Sequence, residues 1–91
     1  MKLIKTNLEG LKIFEPDVYE DKRGLFLETF HEERYRDFGI KDNFLQDNHS
    51  RSYKGVIRGM HFQVGNPQSQ LITVLRGKIF DVCVDIRKES K

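Results

Sequence analysis

Residues 78–87 alternate. Phe80, Val82, Val84 and Ile86 fall on one parity, while Asp81, Cys83 and Asp85 fall on the other. A period of two is the mark of an extended strand, whose successive side chains point to opposite faces. Wound as a helix, the same residues would scatter their apolar groups around the whole circumference. The run therefore commits this part of the chain to a sheet, and a sheet needs neighbours.

Earlier segments supply candidates. Leu11, Ile13 and Phe14 precede Pro16, so residues 8–19 read as a strand that ends in a turn. Asp21-Lys22-Arg23-Gly24 has turn composition, and residues 25–30 read as the strand that follows. Strands are also expected at 43–48, 55–63 and 71–75, with turns at 64–67 and 76–77. One helix interrupts them. Thr29 and Glu32 have the spacing of a capping box, which predicts a short helix over 31–38 with Tyr35 and Phe38 facing inward. Gly39 suits the left-handed cap at its end. Several short strands with regular turns suggest a sandwich or barrel. The pattern then turns polar at 87–91, leaving an expected sheet edge to be covered by a second chain or by more of this one.

A chain of 91 residues suits one small domain and buries proportionately little surface. Sixteen basic and fourteen acidic side chains are interspersed, for a net charge of +2. No basic stripe is present, which argues against a nucleic-acid partner. One cysteine rules out an internal disulfide framework, and its place in an apolar run predicts a buried thiol. Met1-Lys2-Leu3-Ile4-Lys5 lacks the apolar core of a secretion signal, and no apolar run approaches membrane-spanning length. A soluble, cytoplasmic protein without a membrane partner is expected. Asn48-His49-Ser50 fits a glycosylation sequon that such a protein would not use.

The chemistry concentrates in 46–63. His61 can take a proton near neutral pH, or it can be a core histidine bonded to a carbonyl. Arg58 lies three residues earlier, on the opposite face of a regular strand unless a bulge at Gly59 turns both side chains inward. An inward guanidinium suits phosphate, and an outward one is simply solvated. Gln46 and Asn48 share a face, either as amide donors to a ligand or as a polar exterior. Arg23, Phe26 and Glu28 together offer a cation, an aromatic plane and a carboxylate, a set that can hold a nucleotide. No second histidine follows His61 at strand spacing, since Gln63 stands there, and no metal site is expected.

In order and spacing, Asp21 to Glu28, Gln46 to Ser52, Gly55 to Gln63 and Gly77 to Arg87 resemble the dTDP-4-dehydrorhamnose 3,5-epimerase family. The resemblance implies a mainly β, cupin-type jelly-roll, here an incomplete barrel with one short helix near 31–38. It makes 1–91 the N-terminal portion of a single epimerase domain that forms a dimer and uses no cofactor. His61 would be the general base beside the C4 ketone. Arg58 would bind near the diphosphate or the reacting sugar. Gln46, Asp47 and Asn48 would contact the diphosphate, and Arg23, Phe26 and Glu28 the nucleotide, across the dimer interface. Gln70 stands where the family carries a lysine that stabilises the enolate, with a turn before it one residue shorter. The chain is expected to reach about half the family length, placing the tyrosine acid and the aspartate that orients the histidine outside it. A single-centre epimerase or ketoisomerase, and a non-catalytic nucleotide-sugar-binding remnant, are the alternatives.

Overall fold

The computed structural model describes residues 1–65 and 68–88. The chain divides into two compact units, Met1–Ile40 with Thr73–Lys91, and Lys41–Ile72. All regular secondary structure among the described residues lies in the first unit: strands β1 (Lys2–Lys5), β2 (Lys12–Glu15), β3 (Val18–Asp21) and β4 (Gly24–Leu27), and helix α1 (Glu32–Asp37). Its regular secondary structure is therefore mainly strand, with one short helix, and no barrel closes among the described residues.

β1 and β2 form an antiparallel pair with Leu3 opposite Phe14 and Ile4 opposite Ile13. Thr6 organises the connection. Its hydroxyl donates to the Leu11 carbonyl at 2.7 Å and accepts the Leu8 N–H at 3.3 Å. β3 and β4 form a second antiparallel pair through the expected turn, with Tyr19 opposite Phe26 and Asp21 opposite Gly24. The Asp21 carboxylate accepts the Arg23 N–H at 2.8 Å inside that turn, and Gly24 takes a left-handed φ of 133° that a side chain would resist.

α1 falls inside the expected span, but its start is built differently. His31, not Thr29, is the cap residue, and its imidazole Nδ1 accepts the Arg34 N–H at 3.3 Å. Thr29 instead gives its carbonyl to the Tyr35 hydroxyl at 2.9 Å. The end is as expected. Gly39, at φ 93°, donates to the Arg36 carbonyl and Ile40 donates to the Tyr35 carbonyl, each at 2.9 Å. These two bonds satisfy carbonyls that a helix end leaves without partners. Lys12 of β2 adds an ammonium at 2.9 Å from the Phe38 carbonyl, where the helix dipole favours a cation.

The core lies where α1 meets β2. Tyr35 is 3% exposed, the one buried residue among those described. Its ring centroid sits 4.8 Å from Phe14 and 5.2 Å from Phe30, and Phe38 meets Phe14 edge-on at 6.0 Å. Phe38 is half-buried.

Residues 43–48, 55–63, 71–75 and 78–87 are not strands, contrary to expectation. Alternation names the face a strand would bury, but a strand exists only when a neighbour takes its N–H and C=O groups. For the same reason Cys83 is exposed rather than buried, with Phe80 94% exposed nearby in the sequence. The expected turn at 64–67 and polar tail at 87–91 lie partly outside the described residues. Among those described, no helix is long and apolar enough to cross a membrane.

Candidate functional site

The candidate residues fall into both units. Arg23, Phe26 and Glu28 belong to the first, and Gln46, Asp47, Asn48, Arg58, His61 and Gln70 to the second.

In the first unit, the β3–β4 hairpin presents Phe26, 71% exposed, opposite the exposed Tyr19. An aromatic face left open to solvent is a platform on which a flat base can stack. Arg23, at the hairpin tip, folds back on its own turn. Its guanidinium meets the Asp21 carboxylate, with Nη2 at 2.6 Å from Oδ2. That contact holds Asp21 below the ordinary carboxylate range. Both groups are largely exposed, so the pair contributes little stability and is free to exchange a carboxylate for a phosphate.

Glu28 directly follows β4. Arg34 of α1 grips both of its oxygens, Nε at 2.9 Å from Oε1 and Nη2 on Oε2. Its carboxyl is held below the usual range, first by this hydrogen bond and more weakly by the Arg34 charge. Nothing in the sequence pattern singles out Arg34. It sits six residues from Glu28, across a cap, outside the three- and four-residue spacings that mark helical ion pairs. Beside it, burial and then the Glu28 charge push the Tyr35 phenol up.

In the second unit, Gln46 Nε2 donates to Asn48 Oδ1 at 3.0 Å, so the two amides lie side by side. Arg58 Nε donates to Ser52 Oγ at 2.8 Å. The other face of that guanidinium remains able to bind an anion. Gly59 has the left-handed φ, 113°, but no ladder surrounds it, so no β-bulge forms there. Among the described residues, no hydrogen bond joins Arg58 to His61; the Arg58 bond goes to Ser52. Asp47, His61 and Gln70 are exposed. No group of three or more metal-ligating side chains gathers among the described residues. A shallow groove of about 280 Å³, lined by Leu8, Leu11, Cys83 and Ile86 among others, contains none of the candidate residues.

Comparison with known proteins gives a consistent result. The family model described as dTDP-4-dehydrorhamnose 3,5-epimerase matches residues 5–91. A protein of that name from Methanothermobacter thermautotrophicus is 53% identical over 98% of this chain and 48% of its own. Another from Salmonella typhimurium is 48% identical over 99% of this chain and 50% of its own. A dTDP-4-dehydrorhamnose 3-epimerase from Streptomyces niveus is 38% identical over 99% of this chain and 44% of its own. The chain thus spans about half the length of the curated relatives it matches. No solved structure gives a significant match.

Proposed function

The chain belongs to the dTDP-4-dehydrorhamnose 3,5-epimerase family, and from that premise we infer that it supplies the proton-abstracting and nucleotide-contacting part of an epimerase for a dTDP-4-keto-6-deoxy sugar. The observation that carries this reading is the 53% identity sustained over 98% of the chain. The residues 1–91 belong in this reading to one cupin-type domain of a cytoplasmic homodimer.

A ketone at C4 acidifies the C–H bonds at C3 and C5. His61 acts as the general base that removes such a proton. Charge then develops on the ketone oxygen and needs a donor already in place. Gln70 stands at that position and offers a neutral amide hydrogen bond. Return of a proton to the opposite face inverts the carbon. The proton leaves and returns with no net oxidation, so the reaction asks for no redox cofactor. Arg58 binds the diphosphate or the reacting sugar, Gln46, Asp47 and Asn48 contact the diphosphate, and Arg23, Phe26 and Glu28 hold the nucleotide.

The 3-epimerase relative supports a second reading, in which only C3 is inverted. Proton NMR of dTDP-4-keto-6-deoxyglucose with the chain in deuterated buffer separates the two. Loss of the C3 and C5 signals, abolished in His61→Ala, is the expected result. Loss at C3 alone assigns the single-centre reaction. Retention of both signals by folded protein leaves this chain a nucleotide-sugar-binding segment without the activity.

A further inference from the structure

Glu28 presents a physical problem in its proposed role. A nucleoside diphosphate is strongly anionic, and a bare carboxylate beside it is repelled. Arg34 removes the difficulty. We propose that Arg34 is a positioning residue for nucleotide recognition: its fork orients the Glu28 carboxylate and cancels its charge, so that Glu28 accepts a hydrogen bond from the nucleoside without repelling the diphosphate. The inference rests on the reading of Glu28 as a nucleotide contact.

Three features carry it. The fork spans both carboxylate oxygens and so fixes the plane of the group, which a single contact would leave free to rotate. A carboxylate has about four acceptor positions, so the two that the fork leaves open remain for a base N–H or a ribose hydroxyl. Arg34 is itself anchored. Its N–H is held by the His31 imidazole, and its neighbour Tyr35 is the buried residue that pins α1 against Phe14 and Phe30. The guanidinium therefore projects from a fixed backbone towards a carboxylate two residues beyond the exposed Phe26 ring. The hydrogen bond from Arg34 also keeps Glu28 ionised, and hence a pure acceptor, further into acid.

The test is calorimetric or NMR titration of the full chain with dTDP and, separately, with thymidine, which has no phosphate. Glu28→Gln should weaken both ligands on the order of tenfold, the scale of one charged hydrogen bond. Arg34→Gln should weaken dTDP more than thymidine, because the exposed Glu28 charge acts only on the phosphates. Adding Glu28→Gln to Arg34→Gln should recover part of the dTDP affinity, and Arg34→Lys should fall between wild type and Arg34→Gln. If Glu28→Gln weakens dTDP while Arg34→Gln does not, the inference fails alone. Equal losses for both ligands, with no recovery in the double variant, reduce Arg34 to a structural residue and overturn it. If wild type does not bind dTDP, or Glu28→Gln binds it unchanged, the nucleotide reading of Glu28 falls and the inference falls with it.

Discussion

Single side chains show both what patterns reveal and what they hide. Under the proposed mechanism Gln70 offers the enolate a neutral hydrogen bond where a lysine would offer a charged one, a difference of about 0.5–2 kcal/mol. Gln70→Lys should therefore raise the rate of proton exchange by about tenfold under the proposed mechanism; an unchanged rate in folded protein removes Gln70 from the enolate position. The carboxylates give a pH prediction. Asp21 and Glu28 are both held below their ordinary values by arginine partners. A depressed carboxyl favours the folded chain above its unfolded pKa, near 4, and that contribution disappears as pH falls through the lower folded value. Acid titration of the side-chain carboxyl carbons should show Glu28 titrating below free glutamate, and Arg34→Gln should return it to the ordinary range. Asp21 and Arg23 were legible as a turn two residues apart. The Glu28–Arg34 fork was not, because its partners are brought together only when α1 docks. Likewise Thr29 has the sequence of a cap, yet His31 takes the role by accepting the Arg34 N–H, while the Thr29 carbonyl receives the Tyr35 hydroxyl.

Elements were readable where local chemistry is self-sufficient. The turn at 21–24 and the helix within 31–38 each close their own hydrogen bonds, so composition sufficed. β1 escaped notice because four residues with two lysines carry no distinct period, and its identity comes from Phe14 and Ile13 across the pair. The strands expected after residue 40 failed for the converse reason: their periodicity is clear, but no partner pairs with them among the described residues. The C-terminal end of α1 offers a sharp test. A Cβ on Gly39 would sit in a left-handed backbone and 2.3 Å from Lys12 Nζ. Gly39→Ala should cost roughly 1 kcal/mol in backbone strain, with some further loss as the Lys12 ammonium moves off the Phe38 carbonyl. Urea unfolding followed by helix ellipticity measures it; a variant as stable as wild type would show that the Schellman ending does not hold α1 in solution.

At the scale of the molecule, order is unequally shared. The first unit holds both sheets, the helix and the aromatic cluster, whereas the described residues of 41–72 form no helix or strand, and a turn there is closed by the Val56 N–H donating to the Tyr53 carbonyl at 3.2 Å. Hydrogen exchange should therefore show protected amides in β1–β4 and α1, and rapid exchange across 41–72. Protection spread evenly over both would contradict this division. Ligand added to the wild-type chain should slow exchange around Gln46, Asn48 and Arg58 if the proposed contacts form. Interpreting any of these solution experiments also depends on Cys83. The chain has one thiol, and it stands exposed. Its covalent valence is therefore one. Air oxidation can join two chains, sulfur to sulfur, and can go no further, so a larger species must be held by noncovalent contacts. A reductant titration thus divides the two kinds of association without a single substitution.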